Sequence, residues 1–191
     1  MSMDENSWIE RVLQGDAAAF ENLVCRYQAR LVAFLWNLLG SGEDARDAAQ
    51  DVFIHAYSRL GRFDRSRSFR NWLFTIAYNR GIDLLRRKRL FHRYGQRQAR
   101  GGAAAVHAAP EGIEESAIWQ PALRKVTPQE RSVLTLKYNE DWGTEEIAAM
   151  LGCAPATVRV HLLNARRKLK KELAASGFVP GVKTVSAEEI P

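Results

Sequence analysis

Between residues 20 and 38 the side chains Phe20, Leu23, Val24, Tyr27, Leu31, Phe34, Leu35 and Leu38 recur at steps of three and four. That period turns one face of a helix of about six turns toward a core. The other long apolar stretches keep the same step, and none alternates with the period of two that a strand needs. Ala45, Ala48, Ala49, Val52, Phe53, Ala56, Tyr57 and Leu60 mark a second helix. Phe69, Trp72, Leu73, Ile76, Ala77, Leu84 and Leu85 mark a third, which runs into Arg86-Arg87-Lys88-Arg89. The chain is expected to be all-α.

Local signals divide it. Trp8, Ile9, Val12 and Leu13 make a short amphipathic opening that Gly15 breaks, and Asp16 is placed to cap the first long helix. Gly40-Ser41-Gly42 ends that helix, and Ser41 can cap the next. Its acidic first turn (Glu43, Asp44, Asp47) suits the helix dipole. Residues 61–68 are polar and basic and read as a loop. Three such helices can enclose one core, which makes 8–94 a first domain. Residues 95–117 are small and polar, a flexible linker by composition. In 118–175, Thr127, Pro128 and Glu130 spell a capped helix start. Val133, Leu134, Leu136 and Tyr138 give that helix its apolar face. Thr144 is read as capping a short helix over 145–151 that Gly152 ends, and Pro155 opens a longer one through Val158, Leu162, Ala165 and Leu169. Two helices about a glycine turn, the second rich in Arg and His, form a helix-turn-helix. The reading is thus two small helical domains on a flexible linker, with residues 176–191 as a mobile tail.

Charge is unevenly spread. Residues 1–58 carry net −5, residues 59–100 net +11 and residues 101–191 net zero, within a total of +6. A basic middle beside an acidic first third points to a polyanion for one and a different partner for the other. Cys25 and Cys153 are too few and too far apart for a disulfide framework, and no Cys/His cluster has zinc spacing. Cys25 is expected to be a packed thiol, and Cys153 to anchor the helix-turn-helix turn. No apolar run approaches the ~20 residues of a membrane span. The acidic start lacks the basic and apolar regions of a leader. A soluble cytoplasmic protein without cofactor or small-molecule substrate is the expectation.

Several strings together resemble one family. They are Gly15-Asp16-Ala17-Ala18-Ala19-Phe20 and Glu43-Asp44-Ala45-Arg46-Asp47-Ala48-Ala49-Gln50-Asp51-Val52-Phe53. A third runs from Arg62-Phe63-Asp64 to Phe69-Arg70-Asn71-Trp72-Leu73, with Asn79, Asp83 and Arg86-Arg87. The last pairs Thr144-Glu145-Glu146-Ile147-Ala148 and Thr157-Val158-Arg159 with Ala165-Arg166-Arg167-Lys168-Leu169. In this order they resemble the extracytoplasmic-function (ECF) group of sigma-70 factors, most nearly its envelope-stress branch. The resemblance implies a sigma region 2 bundle, a sigma region 4 helix-turn-helix and no enzymatic activity. It implies three partners: core RNA polymerase, promoter DNA and an anti-sigma factor.

The resemblance also assigns residues. Asp44, Asp47, Gln50 and Asp51 lie three or four apart on one helix face and take the polymerase. A melted −10 strand needs basic groups along its backbone and a pocket for an extruded base. Arg62, Phe63, Arg65, Arg67 and Asn79 are assigned to that pocket, with Arg70, Arg80, Arg86 and Arg87 on phosphates. The spacing of Trp72 favours the core, and Asp83 is expected to pair with a nearby arginine. Arg159, Val160, Leu163 and Asn164 share the face a recognition helix turns to −35 base edges. Thr157 belongs to the same surface, with His161, Arg166, Arg167, Lys168 and Lys170 toward phosphates. Val160-His161 and Asn164 depart from the commonest family residues there, which bears on the −35 sequence read and not on the fold. Two rival readings are an ordinary helix-turn-helix regulator and an enzyme on nucleic acid. The first leaves the Arg-rich loop and third helix unexplained. The second lacks paired carboxylates, a phosphate-cradling loop or an activated nucleophile.

Overall fold

The structure, a computed structural model, describes residues 5–95 and 122–175. The principal helices are α1 (Glu5–Leu13), α2 (Ala19–Leu39), α3 (Gly42–Arg59), α4 (Phe69–Gly95), α5 (Pro128–Tyr138), α6 (Thr144–Leu151) and α7 (Pro155–Ala175), and residues 122–124 are helical as well. A 3-10 turn, Leu60–Arg62, leaves α3. There is no strand among the described residues. The expected linker and tail, 95–117 and 176–191, fall almost wholly outside them.

Most helix ends follow the local chemistry. The Ser41 hydroxyl accepts the Asp44 amide at 3.3 Å, and Gly40 closes α2 at φ 73°. Thr127 and Glu130 form the reciprocal box, with Thr127 Oγ1 accepting the Glu130 amide and Glu130 Oε2 accepting the Thr127 amide at 2.8 Å. Three ends differ from expectation. α2 starts at Ala19, and the Asp16 carboxylate takes the Arg11 guanidinium at 2.6 Å, which holds its pKa low. At α6 the N-cap is Gly143, whose amide donates to Glu146 Oε2 at 2.8 Å, and Thr144 is the first helical residue. α1 begins at Glu5, ahead of Trp8, and Tyr27 donates to the Glu5 carboxylate at 2.6 Å.

α2 is the hub. Leu23, Leu31, Leu35 and Leu38 are fully buried between α1, α3, α4 and α5. Gly81 lets α4 approach: a Cβ there would fall inside the van der Waals surface of Leu38. Cys25 is exposed, contrary to expectation, because it sits some 200° around the helix from Leu23. Tyr138 is likewise exposed, lying past the last turn that faces the core.

The second domain packs α7 across α5 and α6, and α6 and α7 meet at 102°, a helix-turn-helix geometry. Gly152 turns the chain at φ 64°, and the half-buried Cys153 donates its amide to Ala148. The two domains are docked. Trp142, between α5 and α6, is fully buried, 5.7 Å from Phe74 of α4 and beneath the Arg70 guanidinium at 5.1 Å. Around it Arg30 pairs with Glu140, Asn71 donates to Glu146 at 3.3 Å, and Arg70 lies 3.7 Å from Glu146. No single helix among the described residues is long and apolar enough to cross a membrane.

Candidate nucleic-acid and polymerase interface

The alanine-rich side of α3 is buried through Ala45, Ala48, Ala49, Val52 and Ala56, so its polar residues are turned outward. Asp47 and Gln50 are exposed. Asp44 and Asp51 also reach α4: Lys88 Nζ meets Asp44 Oδ2 at 2.5 Å, and Arg80 pairs with Asp51. The acidic row thus borders the basic helix that follows it.

Between α3 and α4 lies a cleft of about 570 Å³. Ile54, His55, Ser58 and Arg59 form one wall, and Ile76, Asn79, Arg80 and Asp83 the other. The exposed Asn79 amide can both donate and accept. Asp83 leans on Arg86 at 3.7 Å, as expected of a local pair.

The basic loop is anchored by rings. Phe63 is 8% exposed and packs edge-on to Phe69 at 5.7 Å and against Trp72 at 4.9 Å. The ring assigned to the base pocket is therefore turned into the core, where apolar area is better buried than shown to water. Trp72 is half-buried on the same cluster. Asp64 folds the loop tip by accepting the Ser66 hydroxyl at 2.7 Å and amide at 3.0 Å, and both bonds lower its pKa. Arg62, Arg65 and Arg67 are left on the outside, Arg67 within 3.3 Å of Asp64. Arg86 and Arg87 are exposed further along α4, whereas Arg70 is half-buried at the domain junction.

On α7 the buried stripe is Val158, Leu162, Ala165 and Leu173. The opposite face shows Thr157, Arg159, Val160 and Leu163 to solvent, with His161 and Asn164 half-buried. Val160 and Leu163 are 53% and 66% exposed, apolar groups free to meet a thymine methyl. Arg166 lies over the Tyr138 ring at 5.4 Å, and Arg167 reaches Asn164 at 3.5 Å. Lys168, expected on a phosphate, instead holds the buried Glu130 at 2.7 Å. Burial opposes the Glu130 charge, yet Lys168 and the Thr127 amide overcome it and its pKa is lowered.

Residues 23–91 match the family Sigma-70 region 2, and residues 117–169 match Sigma-70, region 4. RNA polymerase sigma factor CarQ of Myxococcus xanthus is 32% identical over 167 residues, covering 86% of this chain and 95% of its own. ECF RNA polymerase sigma factor SigW of Bacillus subtilis is 29% identical, covering 91% and 98%. The chain belongs to the ECF group of the sigma-70 family. As an ECF sigma factor it serves promoter-directed initiation of transcription by RNA polymerase. Its fold matches the sigma factor RpoE from Bartonella quintana, solved with the anti-sigma factor NepR, at TM-score 0.69 and 25% identity over 81% of this chain and 96% of that one.

Within this sigma factor the structure gathers Asp51, Asn79 and Arg80 at one cleft, and the α7 residues on one face. It holds the 62–68 loop by Phe63 and does not line the cleft with it. His55 and Ser58 of the cleft wall escaped the sequence reading. His55 lies four residues after Asp51 and Ser58 three after His55, the spacing that could have found them.

Proposed function

We infer that the two domains divide initiation between them. The first (residues 5–95) holds core RNA polymerase through Asp44, Asp47, Gln50 and Asp51 and captures the melted −10 strand. Arg62, Arg65, Arg67, Arg70, Arg80, Arg86 and Arg87 bear on its phosphates, and Phe63 anchors the loop that carries the first three. The second (residues 122–175) reads the −35 duplex with Thr157, Arg159, Val160, Leu163 and Asn164, while His161, Arg166 and Arg167 take phosphates. The chain contributes no catalytic step of its own and works in the cytoplasm. An anti-sigma factor holds it, as NepR forms a complex with RpoE of Bartonella quintana.

The observation that supports this most directly is the exposed Asn79 amide beside Arg80 in an open cleft large enough for a nucleobase. An extruded base loses stacking, and a two-sided amide contact offsets part of that loss. Asn79→Ala is expected to slow open-complex formation about tenfold, the equivalent of one hydrogen-bonded contact, with core binding intact. Stopped-flow promoter melting and a core-binding titration check it, and parallel loss in both refutes the role.

A further inference from the structure

We propose that the cavity between the C-terminal half of α4 and the start of α5 binds a nucleotide with two linked phosphates, its phosphates on Arg89, Arg131 and Arg86 and its base against Ile82 and Leu85. The proposal does not rest on the division of labour above: Arg89 and Arg131, its two principal groups, have no part in it.

The helical period builds the site. Ile82, Leu85, Arg86 and Arg89 fall within two turns at steps that keep them on one face of α4. Pro128 and Gln129, the first residues of α5, line the other side of a cavity of about 320 Å³. The positive end of the α5 dipole therefore points toward it. Small-molecule sites run from about 300 to 1,000 Å³ and join an apolar wall to a few polar groups. This cavity has that build: half-buried Ile82 and Leu85 are its apolar wall, and Arg86, Arg89 and the Gln129 amide its polar edge.

Its cations are the ones left over. Elsewhere on α4, Arg80 and Lys88 are met by Asp51 and Asp44. Arg89 and Arg131 form no ion pair among the described residues. Glu130 is next to Arg131 in sequence, but its carboxylate is spent on Lys168 at 2.7 Å and on the Thr127 amide at 2.8 Å. The Arg131 Nε is buried and meets no acceptor in the chain. Burial first, and the Arg89 charge second, lower the Arg131 pKa. Two like charges are thus brought together without a carboxylate from the described residues, which is costly unless an anion bridges them. Guanidinium forks match phosphate oxygens in pairs, and two forks are better met by two phosphates than by one. Arg86, held only loosely at 3.7 Å by Asp83, can add a third. A base laid on Ile82 and Leu85 covers apolar surface that a bare phosphate leaves wet.

The test titrates the full chain with ADP and with GDP by calorimetry, using AMP and inorganic pyrophosphate as partial probes. At least one of the two diphosphates is expected to bind with a Kd below about 100 μM, and AMP and pyrophosphate about tenfold or more weaker. Arg89→Ala, at an exposed position that the fold should tolerate, is expected to weaken that nucleotide about tenfold, and Arg131→Gln as much. The same nucleotide should raise the thermal midpoint of the parent chain more than that of either variant. Lys171→Ala removes an exposed cation of α7 outside the cavity and should change neither readout. No heat from ADP or GDP at about 1 mM overturns the site. Pyrophosphate that binds as tightly as the nucleotide overturns the role of the apolar wall, and the nucleotide with it. An equal loss in Lys171→Ala overturns the site in favour of diffuse attraction to a basic chain. A single-stranded oligonucleotide is titrated alongside. If Arg89→Ala weakens the oligonucleotide and leaves the nucleotide unchanged, the pair serves a DNA backbone and the proposal falls.

Discussion

The two DNA-facing regions are charged in different ways. In the first domain Arg67, Arg70, Arg80 and Arg86 each lean on a carboxylate of the chain itself: Asp64, Glu146, Asp51 and Asp83. On the recognition face of α7, Arg159 takes no ion pair among the described residues, and residues 159–171 contain no acid. The −10 surface must exchange partners before it holds a strand. The −35 surface is ready as folded, and most of its cations add to the field that draws in duplex DNA. This contrast fits the order of events at a promoter, where the duplex is met before any strand exists.

The contrast can be attacked from its strongest side first. Arg159→Ala should cost about 1–3 kcal/mol of −35 duplex binding, with the loss concentrated at one base position. Binding to a set of −35 variants checks this; a uniform loss would reduce Arg159 to a phosphate contact. Lys168 is the tied cation of α7, so Lys168→Ala should act on stability, not on DNA. Removing it leaves the buried Glu130 uncompensated, at about 1–2 kcal/mol once the partial exposure of Lys168 is allowed for. Thermal unfolding across pH sharpens the point. Glu130 and Glu146 are lowered from the ordinary 4.5 in the folded chain, so their contribution is complete above pH 4.5 and is lost as pH falls through the lowered values. The Lys168→Ala chain should lose the Glu130 share of that acid transition. The smallest effect is expected from Asp51→Asn. It frees Arg80 and should tighten single-strand binding up to about fivefold, within ~1 kcal/mol, while weakening core polymerase. Strand affinity that stays level would show that the first-domain pairs do not compete with DNA.

Much of the fold was legible because its determinants are local. Ser41, Thr127 with Glu130, Gly152 and Pro155 each act within a few residues, and the structure finds them where the sequence puts them. What escaped depends on how helices are set against one another. Asp44 and Asp51 read as one solvent face, yet each also meets a cation of α4, at Lys88 and Arg80, and no spacing within α3 announces that. The resemblance offers Phe63 to DNA, but a ring next to Phe69 and Trp72 gains more from packing. Trp142 stands outside every helical period of the sequence. A large aromatic in a polar turn, with no helix face of its own to join, was the available hint of a partner elsewhere in the chain.

Glu146 serves two structures at once. Its Oε2 accepts the amide of Gly143, the N-cap of α6, while Oε1 accepts from Asn71 of the first domain. Only the second of these bonds joins the two domains. Its loss would loosen the junction and leave the start of α6 capped.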